Sequence, residues 1–445
     1  MIKNYPQLLI SKLHNPAEQL FIASAVVSPL FLLTISGWMT RIVAVCALLA
    51  MYVLYRNNKA KNHKLALNSK ISFHTKLLCA TLALPILAIF LGQLFRGQYT
   101  WSYYDSPAHI LIGIFILLAT AKAGVHVVKW MSYTFPIVTL LALANILIDP
   151  NLHWGATRLS TQAVDPLMFG SLSLTFGLLS LISIKLHDND SKWLTVYKLI
   201  GFGSGIYLSI ASGSRTGWLA LPIIGFLWLY FDRAKFTLPI KIIGIISILT
   251  FITSAYFLSS NVQQRVDITA KEVLAYQWNT DAPNDNTSVG ARISFIRMAV
   301  FLFQQKPLGG WGDGNFENVI NDPALNFSSL EAKKIALEAG FHNDITANMV
   351  RSGIWGLMAT VALFLIPALF FIRNMHSEYK NQRDVAFLAL AFLTCQFVSS
   401  LSMEIFNLRY SASFFGLMLA VFCGQMLFYM SHNTTDFNGK YNEPT

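Results

Sequence analysis

The chain has 445 residues, 54% of them apolar and only 12% charged, with a formal net charge of +11. Soluble domains carry about 25% charged residues, so this composition excludes an ordinary soluble enzyme, and 33 Phe with 10 Trp exclude a solvated, disordered chain. The positive charge does not call for nucleic acid, because Lys and Arg collect on the cytoplasmic loops of membrane proteins.

A bilayer-crossing helix needs about 17 to 25 apolar residues. Such runs fall at 20–36, 40–55, 76–95, 107–122, 131–148, 167–184, 197–211, 217–231 and 240–258, and again at 347–372, 385–401 and 411–430. The reading is an all-α polytopic membrane protein of about 12 transmembrane helices: helices 1–9 within 1–258, a loop at 259–346, helices 10–12 within 347–430 and a tail at 431–445. Lys3 and Lys12 before the first run resemble the start of a signal peptide, but no small-residue cleavage site follows, so the run is read as an uncleaved helix. The four cysteines (Cys46, Cys79, Cys395, Cys423) all lie inside apolar runs and read as small core hydrophobes.

Orientation follows from the basic residues. With the N-terminus in the cytoplasm, about 20 of the 33 Lys and Arg fall on cytoplasmic segments. Long loops translocate largely regardless of charge, and with 259–346 set aside the comparison is about 20 against about 6. Both termini are therefore predicted inside, and 259–346 becomes a large, mainly helical loop on the outer face. Within it, Ala291–Gln305 reads as a helix stopped by Lys306-Pro307.

Charges are costly at membrane depth, and on the outer face this chain has few, so each outward arginine matters: Arg41, Arg96, Arg158, Arg215, Arg351 and Arg409 outside the long loop. Arg215 sits in Ser212-Gly213-Ser214-Arg215-Thr216-Gly217, a small-residue break between two short runs, where hydroxyls and a planar guanidinium suit a phosphate. Arg292 and Arg297 open the loop helix five residues apart, about 140° around its axis, so both cannot face one site. Arg292, in the first turn, is the better ligand candidate. Ile293, Ile296, Val300 and Phe303 form an apolar stripe expected to lie against the membrane or the other helices.

The stretch Gly309-Gly310-Trp311-Gly312-Asp313-Gly314 lacks the Lys-Ser/Thr of a phosphate-binding loop and reads as a tight turn. Gly201-Phe202-Gly203-Ser204-Gly205 lies inside a span, where small residues let helices approach. His342, in Gly340-Phe341-His342-Asn343-Asp344, stands just before a span, and imidazole is the side chain suited to proton transfer near neutrality. No metal-ligand cluster, nucleophilic triad or convincing carboxylate pair is visible in the sequence.

Three stretches taken in order resemble the O-antigen ligase and polymerase superfamily of bacterial inner-membrane glycosyltransferases. They are Ser212–Leu219; Arg292 with Lys306–Phe316; and His342-Asn343-Asp344 with Arg351–Leu357. The resemblance is specific over about 205–360 and topological elsewhere. It implies transfer of a polysaccharide from undecaprenyl diphosphate to a sugar hydroxyl of the lipid A core at the periplasmic face, without metal or cofactor. By the same resemblance, Arg215 and Arg292 bind the donor diphosphate, Arg158 occupies a recurrent outward position, and His342 is the base or positioner. Ser214, Asn343, Asp344 and Asp105, the last in Tyr104-Asp105-Ser106-Pro107, are expected to support them. One departure lies about a turn after Arg292, where relatives often carry an aromatic and this chain has Ile296-Arg297. A polymerase of the same superfamily would use the same donor. A twelve-helix transporter would predict inverted repeats and mid-span ionisable groups, and the sequence shows neither.

Overall fold

The computed structural model describes residues 16–59, 69–122, 126–148, 158–184, 186, 190–214, 216–231, 260–278, 282–283 and 285–439. Among these residues the regular structure is helical, without a strand. The helices are α1 (Pro16–Val27), α2 (Trp38–Lys59), α3 (Ser69–Arg96), α4 (Asp105–Leu111), α5 (Gly113–Lys122), α6 (Val127–Ile148), α7 (Pro166–Ile182), α8 (Lys192–Ala211) and α9 (Ala220–Phe231). They continue with α10 (Ser260–Ala275), α11 (Ser288–Gln305), α12 (Leu330–Glu338), α13 (Asp344–Asn374), α14 (Lys380–Ser400) and α15 (Arg409–Gly439).

Eight helical stretches among the described residues are long and apolar enough to cross a membrane, and the protein is a membrane protein. The apolar helices Pro16–Val27, Pro166–Ile182 and Gly217–Phe231 are shorter, and the predicted run at 240–258 lies outside the described residues. The twelve apolar runs thus divide into eight full-length helices, three short ones and one undescribed. Two departures from the run lengths stand out. Helix α1 stops at Val27, two residues before Pro29, and turns carry the chain on to Trp38, so the first run is only half helical. The run at 107–122 is split at Ile112 into α4 and α5.

At the centre stands α15, whose most apolar window is wholly buried. A helix apolar all round must be covered all round, and α2, α3, α4, α5, α6 and α14 surround it, joined by single rings of α7 and α13. Its aromatic rings interlock with those of its neighbours: Phe414 lies 5.1 Å from Phe176 and 5.6 Å from Phe392, and Phe415 lies 4.9 Å from Phe406 (centroid to centroid). Small residues let α7 and α8 come close, since a Cβ on Gly205 would lie 2.5 Å from the Ser173 carbonyl oxygen.

The segment between α9 and α13 builds a core of its own. Phe295, Met298, Ala299 and Leu302 of α11 pack with Trp311, Phe316, Leu325, Phe327 and Phe341, and with Val350 of α13. Of the stripe noted in the sequence, Phe303 packs against this core, whereas Ile296 and Val300 are 46% and 41% exposed on the side away from it. The helix thus has two apolar faces, one packed on this core and one carrying Ile296 and Val300. Arg297 is half-buried, with its guanidinium 3.8 Å from the Phe327 ring centroid and donating to Tyr276 Oη at 3.1 Å.

Candidate functional site

The segment rests on a break in α13. Ser352 and Gly353 leave helical geometry, Gly353 with φ +63, so α13 is two helices joined by a kink. Only glycine takes that φ without strain, and a Cβ here would lie 2.3 Å from the Pro307 carbonyl oxygen. The kink frees carbonyls that a continuous helix would use. Trp311 N–H donates to Val350 O at 2.8 Å and Gly312 N–H to Arg351 O at 3.0 Å, while Ile354 N–H donates to Pro307 O at 2.8 Å. The glycine-rich stretch is thus more than a turn, because it satisfies the backbone of the break. From α3, Arg96 adds Nη1 to the carbonyls of Gly309 (2.7 Å) and Arg351 (3.2 Å). Lys306 lies over the Trp311 ring at 3.7 Å, and partial burial, with the Arg96 charge second, pulls its pKa below the ordinary lysine value.

The arginine at this kink is the most densely partnered charge of the region. Arg351 Nε pairs with Asp313, Nη2 with Glu404 at 3.1 Å, and Nη1 donates to Asn348 Oδ1 at 3.1 Å. Glu404, in the turn between α14 and α15, gives its other oxygen to the Phe341 N–H at 2.7 Å. Reciprocal bonds run the opposite way. Asp344 is buried and accepts from the N–H groups of Ile405 (2.9 Å) and Phe406 (3.1 Å). Asn343 caps α13, accepting from Ile345 N–H (2.9 Å) and Thr346 N–H (3.2 Å), and donates from Nδ2 to Leu401 O at 3.2 Å.

Between these anchors His342 is exposed and sits at φ +51, the one non-glycine with positive φ among the described residues. Holding a non-glycine there costs on the order of 1–3 kcal/mol, and such strain persists only where the surroundings over-determine it. Its ring lies 5.8 Å from that of Phe295, one turn along α11 from Arg292. The aromatic expected near Ile296-Arg297 is thus supplied one position earlier, by Phe295. Arg292 is exposed at the fifth residue of α11, just past the first turn, where the Thr287 hydroxyl caps the helix by accepting from Gly290 N–H at 3.0 Å.

A second group forms at the end of α8. Ser212, Gly213 and Ser214 turn the chain, with Gly213 at φ +67. Ser214 is buried and donates to Leu167 O at 2.9 Å, so its hydroxyl fastens the turn to α7. Exposed Arg158 packs over this turn, its Cγ 3.7 Å from where a Gly213 Cβ would be. Arg215, the next residue in sequence, lies outside the described residues.

A third group surrounds a cavity of about 220 Å³ between α3, α4, α13 and the start of α15. Asp105, Asp313, Asn348, Arg351 and Arg409 line its polar part, and Ala88, Ile89 and Leu363 its apolar part. Asp105 pairs with Arg409, and the next residue, Tyr410, donates to Asp165 at 3.3 Å. Among the described residues no hydrogen bond or ion pair joins Arg158, Arg292 and His342 to one another. The second and third groups are therefore not bonded directly to His342, although Arg351, through Glu404, reaches the backbone that precedes it.

Sequence reasoning did not find Glu404, Asp313 or the role of Arg351. Glu404 carried a signal: it is the one carboxylate in the short turn between the runs 385–401 and 411–430, a turn predicted from the sequence to face outward. Counting only arginines there passed over it.

Comparison with known proteins bears on the middle of this arrangement, residues 200–361. Residues 200–361 match the family model described as O-antigen ligase. All three stretches on which the resemblance rests, with the kink and the glycine-rich stretch that seals it, lie inside that match. The chain is 25% identical over 293 residues to an uncharacterized protein of Haemophilus influenzae, spanning 64% of this chain and 70% of that one. It is 30% identical over 166 residues to the O-antigen ligase of Salmonella typhimurium, spanning 36% of this chain and 37% of the ligase.

Proposed function

We propose that the protein is a metal-independent glycosyltransferase of the bacterial inner membrane. It moves O-antigen polysaccharide from undecaprenyl diphosphate to a sugar hydroxyl of the lipid A core at the periplasmic face. The twelve-span topology with both termini cytoplasmic and 259–346 outside belongs to this reading, as do its lipid partners. The observation that carries it is the O-antigen ligase match over 200–361, which takes in Arg215, Arg292 and His342 together.

The chemistry asked of these residues is modest. The acceptor oxygen bonds to the anomeric carbon as the bond to the diphosphate oxygen breaks, and the electron pair leaves with the diphosphate. Diphosphate is already a good leaving group, so charge stabilisation and orientation matter more than a strong acid. Arg215 and Arg292, with Arg158, supply planar guanidiniums for the phosphate oxygens. The proton of the acceptor hydroxyl goes to His342, late, because a sugar hydroxyl is very weakly acidic; attack from the face opposite the diphosphate inverts the anomeric centre. Exposure of His342 in a rigid loop beside the helix that carries Arg292 supports this assignment. Ser214, Asn343 and Asp344 hold the backbone of the two arginine and histidine segments, and Asp105 lines the adjoining cavity.

The test is deletion of the gene followed by a lipopolysaccharide gel. A ligase mutant keeps bare core and accumulates lipid-linked polymer, whereas core bearing a single repeat would make the protein a polymerase of the same superfamily.

A further inference from the structure

We infer that Glu404 is a positioning residue for His342, and that Arg351 fixes Glu404 in turn. The inference rests on the transfer reading above and adds to it a carboxylate remote in sequence from the motifs that carry that reading. One Glu404 oxygen accepts the Phe341 N–H at 2.7 Å, directly before His342; the other takes Arg351 Nη2 at 3.1 Å. The side chain is 7% exposed, so neither oxygen has water as an easy substitute. The backbone is shaped to receive it: Gly340 has φ +83, and a Cβ there would lie 1.9 Å from Glu404 Oε1. Asn343 to Leu401 O, and Asp344 to Ile405 and Phe406 N–H, close the same two segments from the far side of His342.

His342 is therefore the exposed residue of a loop fastened immediately before and after it to one turn, 401–406. Without Glu404 the Phe341 N–H loses its acceptor and the left-handed conformation at His342 loses one of the contacts that impose it. The imidazole would then sample other directions, and its alignment with an acceptor hydroxyl would suffer while the arginine groups for the diphosphate stay in place. Loss of alignment of this kind lowers kcat and leaves ground-state binding alone.

The experiment uses the full-length protein in lipid nanodiscs, with hydrogen exchange of the 340–343 segment and transfer kinetics with lipid-linked polysaccharide and lipid A-core. Glu404→Gln keeps an acceptor for Phe341 but loses the charge that holds Arg351. It is expected to exchange faster at 340–343, and to lower kcat by at least about tenfold with donor KM within about twofold. Added to His342→Gln it should cost nothing more, because a residue that acts through His342 has nothing left to position. Unchanged exchange at 340–343, or a full further loss in the double variant, would overturn the inference. Should Glu404→Gln fail to accumulate, Glu404→Asp, one methylene too short to reach both partners, is read by the same criteria. A wild-type protein that transfers nothing would defeat the transfer reading alone, and the exchange result would still decide the clamp.

Discussion

Helix α15 and the loop Gly340–Asn343 are both tightly held, by opposite means. The helix is fixed by area: apolar side chains point in every direction and the neighbouring helices cover them. The loop is fixed by a few directional contacts, in which backbone N–H groups and one arginine are matched to Glu404, Asp344 and Asn343. The difference teaches where rigidity has to be specified atom by atom. A buried helix tolerates swaps of similar volume, because many small contacts share the load. A loop that presents a strained, exposed histidine rests on a handful of bonds, each with one partner, and the loss of one partner leaves the other stranded.

The contrast breaks most visibly at Arg351. Arg351→Met fills much of the same space but leaves Glu404 buried without its cation, and removing one member of a buried pair typically costs about 3–5 kcal/mol. Thermal unfolding of the full-length protein in detergent should show a clearly lowered midpoint. A midpoint equal to wild type would mean that the ion pair adds nothing and that α13 is held, like α15, by packing alone.

A smaller effect sharpens the same point. Asn343→Ala removes the cap of α13 and the bond to Leu401 O, with an expected cost of about 1 kcal/mol. Faster hydrogen exchange should be confined to the first turn of α13 and the 340–343 loop, with α15 unaffected. Faster exchange spreading through α15 would show that loop and bundle form one cooperative unit.

These two regions were not equally legible from sequence. The bundle announces itself in continuous apolar runs, and most helices follow them closely: 40–55 lies within Trp38–Lys59, and 347–372 within Asp344–Asn374, which runs on through Pro367. The first run is cut short before Pro29 and the run 107–122 is broken in two at Ile112, because hydropathy counts apolar residues and is blind to backbone geometry. The motif residues were legible as types in order, Arg292 and His342 among them. Their supports were not, because Glu404 meets Phe341 across 63 positions and Arg351 across 53. The same applies to α11, where two apolar faces compete and only the tertiary core around Trp311 and Phe316 selects the one bearing Phe295.

The most direct test of the account is the turnover of purified His342→Gln with lipid-linked donor and lipid A-core acceptor, measured beside donor binding. Glutamine keeps polar contact but is no base, and general-base assistance is typically worth about 10²–10⁴-fold. Donor binding equal to wild type is expected, with transfer at least about tenfold slower, a threshold set below the low end of that range. Turnover equal to wild type would contradict this expectation, leaving His342 a strained residue that shapes a loop and takes no part in the reaction.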